Sequence, residues 1–432
     1  MAEASDERAL VIRVFLPNRA YNQPIYPKDD GLRRWLVVLG SFCVLIATFG
    51  YVNTFGVFLA YYKNHQLASN SISAINWIGS VQLFCMYFFA PFVGKAFDAG
   101  WFRLSFLIGS ILHTVGMFAL SVSETYAAIF FSQGICQGIG LGLIFLPSQA
   151  IISHWFRRQR ALALGLAALG SSIGGVVFPV IMRQLLVSST FENTVQVIGA
   201  CTTVCLIVAN ITLATNQLPA EWRKVHMVDH NALTRTPFIL FTVGSTLVMW
   251  GLYVPIFYLE AFGQAHHLSS DISYYSLSIL NGASLFGRLF PNFLGDYFAP
   301  LTILTPMCFA CGILTFVWLS CTKPALYITF TALYGFFSGG YVSLLPATVA
   351  SFAPSVSVAG TWLGMVLFCV SFAGLTGTPI TGAILDRTES AVVPGYWGPC
   401  VFGGSSLFLG SDRTKGYARH YGIFHSRRRK RL

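Results

Sequence analysis

Asn281, Ser284, Arg288 and Asn292 recur at steps of three, four and four inside the run NGASLFGRLFPN. On a helix that spacing makes one polar stripe. The chemistry open to such a stripe is recognition of an anion, because a guanidinium presents a planar fork of donors that fits a carboxylate in two parallel hydrogen bonds. Arg288 lies eight residues before Asp296, roughly 12 Å along a helix, and leaving it against lipid would cost about 2.5 to 3.5 kcal/mol. It must therefore face something polar. Two readings are open: a substrate-facing arginine in a cavity, or a structural one bonded to helix carbonyls and helix ends.

The element that positions the stripe is a membrane helix. Of 432 residues 55% are hydrophobic and 10% charged, with mean hydropathy +0.64, whereas soluble domains are about one quarter charged. Apolar runs long enough to cross a core of about 30 Å fall near 35–62, 74–96, 103–122, 126–152, 161–186, 194–214, 237–262, 272–294, 300–320, 325–352 and 358–385. A weaker twelfth, 391–410, contains Pro394, Gly395, Gly398, Pro399, Gly403 and Gly404, all poor helix formers. Runs of this length mean helices, since barrel strands are shorter and alternate.

If alternate connections face the cytosol, 22 of the 27 Lys and Arg lie on that side. Lys63, Arg183, Lys323 and Arg387 lie opposite, and Arg288 lies within a span. This bias predicts twelve crossings with both termini cytosolic, and it explains the net charge of +11 without nucleic acid. The closing SRRRKRL reads the same way. Residues 1–34 are polar, so no secretory signal is expected and the first helix serves as its own insertion signal. The expected location is the plasma membrane, with lipid around a monomeric chain.

Other chemistries lack their residue sets. The ten cysteines sit in or at the ends of apolar spans and read as core thiols rather than metal ligands. Gly134, Gly138 and Gly142, like Gly170 and Gly174, lack the strand that a nucleotide site needs and read as close helix packing. There is no phosphate-binding loop, no set of histidine boxes and no converging nucleophile, base and acid. The chain is expected to be a carrier, not an enzyme, with no cofactor or metal. A transport-inactive sensor with a carrier's architecture is a further alternative, which the short tails weigh against.

The chain also repeats itself. Asp98 and Asp296 are 198 residues apart, Pro147 and Pro346 199, Gly165 and Gly364 199, and Pro179 and Pro379 200. The expected organisation is a cytosolic tail (1–34), a six-helix half (35–214), a cytosolic linker (215–236), a second six-helix half (237–410) and a basic cytosolic tail (411–432). Two such halves rock about a site near the membrane midplane.

The segment GKAFDAGWFR, 94–103, resembles the cytosolic loop motif of the major facilitator superfamily. DGLRRW (30–35) and WFRRQRALALGLAALGSSIGG (155–175) resemble the two signatures of its monocarboxylate transporter branch, and SISAINWIGSVQLF (71–84) with ILNGASLFGR (279–288) resembles the fungal members. The likeness covers about 30–390. It implies an all-α membrane protein of twelve helices in two pseudo-repeats, moving a small organic acid by alternating access. It also implies that Arg288 meets the substrate carboxylate; Asn281 and Ser284 of the same stripe, with Asn53 and Tyr258, are the further candidate substrate contacts. Mammalian members have a lysine where this chain has Asn53 and an aspartate where it has Ser284, so lactate-type proton symport does not follow. Fungal relatives are often encoded with biosynthetic enzymes, which implies the alternative of exporting a secondary metabolite.

Gly94, Asp98 and Arg103, with Asp296, Arg157, Arg158 and Arg160, are the expected gating residues. Asp98 can pair with Arg103 or accept from helix N-terminal amides, a latch that breaks when the halves rock. The second copy has Pro300 and Leu301 where the first has a basic residue, so its latch is expected to be weaker. No acid lies deep in a span, which leaves His113 as the proton-coupling candidate, against a plain packing role. Tyr51, Phe55, Trp250, Tyr253, Tyr258 and Tyr334 are candidate aromatic lining for a substrate with an apolar body.

Overall fold

The computed structural model describes residues 31–156, 159–216, 226–388 and 395–412, and every regular element among them is helical. Before the linker come α1 (Leu32–Asn64), α2 (Ser73–Asp98), α3 (Phe102–Ser121), α4 (Tyr126–Trp155), α5 (Arg160–Ser188) and α6 (Phe191–Thr212). After it come α7 (Thr236–Ala265), α8 (Ser270–Tyr297), α9 (Pro300–Ser320), α10 (Pro324–Phe352), α11 (Ala359–Leu385) and α12 (397–412). Among the described residues ten of these are long and apolar enough to cross a membrane. The two outside that set are α8, whose apolar character the polar stripe interrupts, and α12, whose described part is short.

Side-chain capping marks where helices begin at one end of the bundle. Ser71, Thr125, Thr190 and Ser269 each accept from an amide three residues on, at the starts of α2, α4, α6 and α8, satisfying one of the amides a helix start leaves unpaired. At the opposite end α5 starts at Gln159, which gives no such cap. Its amides are served from another helix, as described below.

Glycine sets how closely the helices cross. A Cβ on Gly165 would lie 2.6 Å from the Arg288 carbonyl oxygen, and one on Gly364 would lie 2.7 Å from the Ala90 carbonyl oxygen. The two repeat-related glycines are therefore the places where α5 meets α8 and α11 meets α2. Gly174 packs on Gly50, and Gly138 and Gly142 pack on the α2 backbone, the close packing expected of these runs. At Ile46–Gly50 and Phe130–Gln137 the helices widen into π turns.

The glycine-rich segment 391–410 does form a helix, starting at 397 and running to 412, while 391–394 lie outside the described residues. Its glycines allow close crossing rather than breaking it: Gly403 lies on Gly251, and Gly410 beside Gly244 and Val248. In the linker, Asp229 caps the turn His230–Leu233 and accepts from the Trp362 indole at 3.0 Å. The Arg235 guanidinium stacks 5.5 Å from the Trp362 ring centroid.

Candidate transport site between α5 and α8

The stripe predicted on α8 forms, and it runs along α5 as a seam. Nearest its start, Asn281 donates to the Gly175 carbonyl at 3.4 Å and accepts from Asn53 Nδ2 at 3.3 Å. One turn on, the Ser284 and Ser172 hydroxyls lie 2.5 Å apart. Arg288 Nη1 then donates to the Ala168 carbonyl at 3.2 Å and to the Ser171 hydroxyl. Asn292 reaches α10 instead, donating to Ser343 Oγ at 2.6 Å. Small residues on α5 let the polar groups of α8 reach its backbone.

Arg288 is 8% exposed, and its hydrogen-bond partners are neutral. Nε has no partner. Among the described residues, Tyr253 on α7 and Tyr87 on α2 are ionisable side chains within electrostatic reach of the guanidinium. A buried cation with neutral acceptors and two phenols nearby has unused capacity for an anion, because a charge removed from water needs a counter-charge or a full set of bonds. The arginine thus bonds to a helix carbonyl and keeps Nε without a partner.

The other predicted contacts divide. Asn53 joins Asn281, whereas the Tyr258 hydroxyl donates to the Thr378 carbonyl on α11 at 3.3 Å. Of the aromatic candidates Tyr253 shares the site. Trp250 donates to Thr376 at 2.8 Å, Tyr334 to the Leu252 carbonyl at 2.8 Å, and Tyr51 accepts from Gln133 at 3.2 Å. Each of these hydrogen bonds joins two neighbouring helices. His113 is fully buried beside Tyr51, with a ring-centroid separation of 5.7 Å, and neither ring nitrogen has a partner.

Both aspartates cap helix starts across the linker-related groups of helices. Asp98 Oδ2 accepts from Thr361 N and Thr361 Oγ1, each at 2.8 Å, at the start of α11. Asp296 accepts from Ala161 N at 2.8 Å and Leu162 N at 2.9 Å, at the start of α5. Of the two pairings open to Asp98, the structure forms the one with amides and not the one with Arg103. The second copy makes the same number of bonds as the first although it lacks the basic residue, but its aspartate is less deeply buried. Gly94 makes room, since a Cβ there would lie 2.5 Å from the Gly360 carbonyl oxygen. Arg160 adds a bond to the Ala350 carbonyl on α10 at 3.3 Å, while Arg157 and Arg158 lie outside the described residues.

The two signature segments meet at this same end. Arg33 stacks 5.8 Å from the Trp155 ring centroid and Arg34 lies 5.5 Å from that of Phe156, while Trp35 packs edge-on to Phe156 at 5.3 Å. Sequence reasoning missed Tyr87, Ser171, Ser172 and Thr361. The two serines had a readable signal, lying on the glycine-rich face of α5; Tyr87 and Thr361 had none within their own segments.

The sequence pattern of the Major Facilitator Superfamily matches residues 37–378. The MFS transporter asaE of Aspergillus flavus is 37% identical over 395 residues, covering 90% of this chain and 88% of that protein. The aspyridones efflux protein apdF of Emericella nidulans is 34% identical over 410 residues, covering 92% of this chain and 82% of that one. Among solved structures, the human organic anion transporter MFSD10 superimposes with a TM-score of 0.70 at 13% identity, covering 89% of this chain and 100% of that one.

Proposed function

This chain belongs to the major facilitator superfamily and is a transporter, and we propose that it exports an acidic metabolite with a sizeable apolar body, held through its anion by Arg288. One observation supports the reading: a guanidinium sealed between α5 and α8, bonded to neutral acceptors, with Nε unpartnered. Ser171 and the Ala168 carbonyl share Nη1, so an entering carboxylate would take the unpartnered Nε and compete with them for Nη1, which would loosen the seam. A small monocarboxylate, the cargo that the sequence puts first with metabolite export as its alternative, would use the same guanidinium. Export is favoured because a relative of similar length is named as an efflux protein for aspyridones.

In this reading the chain makes twelve crossings as two six-helix halves, with both termini and the Asp98 end cytosolic, in the plasma membrane. The packing of Arg33, Arg34 and Trp35 against Trp155 and Phe156 supports placing the chain in the monocarboxylate transporter-like branch. The test is uptake and efflux of labelled monocarboxylates and larger acidic metabolites in proteoliposomes, parent beside Arg288→Ala, with and without a pH gradient. Transport of an acid by the parent and its loss in a folded variant is expected. Equal transport of that acid by both proteins would overturn the role of Arg288.

A further inference from the structure

At the end of the bundle away from Asp98 and Asp296, one side chain joins three helices. Arg183, on α5, donates from Nη2 to Glu260 Oε2 on α7 at 2.9 Å and from Nη1 to the Tyr274 carbonyl on α8 at 2.7 Å. The guanidinium also lies 4.9 Å from the Tyr274 ring centroid. Arg183 is twelve residues beyond Ser171, roughly 18 Å along α5 from the partner of Arg288. We propose that Arg183, Glu260 and Tyr274 form the second gate of the transport cycle, closing the path at the end opposite the two aspartate latches.

The two ends are fastened by different chemistry, and the difference suits a gate. The aspartates cap helix starts, whereas Arg183 and Glu260 are an ion pair whose side chains are 26% and 28% exposed, with Gln264 Nε2 donating to the other Glu260 oxygen at 3.4 Å. A partly exposed pair biases a two-state equilibrium by only about twofold to fivefold. It therefore closes the end without trapping it, and water can re-solvate both charges as α5 moves away from α7 and α8. Inward of the pair, on the same helix as Glu260, come Phe257 and then Tyr253, whose rings pack at 5.5 Å. Tyr253 is the neighbour of Arg288, so opening at Arg183 exposes a path towards the anion site.

The experiment follows alkylation of a reporter cysteine, Phe257→Cys, by a polar maleimide in the full chain in nanodiscs, quantified by peptide mass spectrometry at position 257. No cargo is needed, so the result is separate from the identity of the substrate. Glu260→Gln is expected to raise the labelling rate about twofold to fivefold. Arg183→Gln should raise it more, because it also removes the Tyr274 contacts, and Arg183→Lys should be intermediate. The exchanged pair, Arg183→Glu with Glu260→Arg, should return towards the parent rate. Unchanged labelling in Glu260→Gln and Arg183→Gln, or an exchanged pair that labels as fast as Arg183→Gln, would overturn the proposal. Should Arg183→Gln not yield folded protein, Glu260→Gln and the exchanged pair decide it alone.

Discussion

Removing the Asp98 carboxylate should unfasten the start of α11, and the structure gives the size of the effect. Thr361 lies within the first four residues of its helix, whose amides no carbonyl of the same helix can serve. Its N–H and its hydroxyl both depend on Asp98, which is 6% exposed. Loss of a capping carboxylate costs about 0.5 to 2 kcal/mol, and bonds to a charged acceptor lie towards the upper end. Taking ~2 kcal/mol for Asp98→Ala, amide exchange at Thr361 should rise about 30-fold. Asp98→Asn, which keeps one acceptor oxygen, should cost ~1 kcal/mol and give a rise of about fivefold. Asp296 is less deeply buried, so Asp296→Ala should give a rise of about fivefold, confined to Ala161 and Leu162. Hydrogen–deuterium exchange read by mass spectrometry resolves these peptides without labels. If Thr361 exchanges no faster in Asp98→Ala, the latch is not what holds that helix start. If Asp98→Ala speeds exchange throughout the protein, the aspartate acts on global stability instead.

Other consequences are simpler. Gly165→Ala places a methyl group 2.6 Å from the Arg288 carbonyl oxygen, and the backbone there cannot yield; thermal unfolding should drop by several degrees, and an unchanged midpoint would refute the crossing. Arg288→Lys keeps the charge but not the fork, so apparent affinity for the anionic cargo should weaken roughly tenfold while maximal rate falls less, as measured by concentration-dependent transport. His113→Phe should leave any effect of a pH gradient in place, because protonation there would bury a charge with no partner; loss of the gradient effect would restore His113 as the coupling group. Asp229→Ala removes the Trp362 indole's acceptor and should make proteolysis of the linker several-fold faster.

How much of this was legible in the sequence depended on the range of the interactions. The stripe of α8 was readable because helical periodicity is local, and its need for a polar neighbour followed from the cost of burying Arg288. The neighbour was not, because nothing within residues 281–292 names Ser171 or Gly175 on another helix. The same limit explains the aromatic candidates: Trp250 and Tyr334 have the right residue types, but their donors are used by Thr376 and the Leu252 carbonyl. Counting glycines and prolines made 391–410 the weakest span, whereas 397–412 are helical, because helix propensity measured in water undervalues glycine where two membrane helices cross. Arg183 and Glu260 were visible only as charges near span ends, since an ion pair between α5 and α7 leaves no trace in the spacing of either.

The duplication explains why the aspartates and the arginine play different parts. Each copy supplies an aspartate at the end of one helix, an uncapped helix start across the interface, and a glycine where the helices cross: Asp98, Thr361 and Gly364 in one seam, Asp296, Leu162 and Gly165 in the other. What is repeated serves both seams, so it suits opening and closing. The guanidinium is not repeated. Counting back 198 residues from Arg288, the offset between the two aspartates, leads to Ala90, which packs on Gly364 in the other seam. A charge placed in one seam alone breaks the pseudo-symmetry at a cost that a symmetric pair of fasteners does not require. Packing would be served by an alanine there as well, and the surplus charge is what the proposed recognition of an anionic cargo by Arg288 would account for.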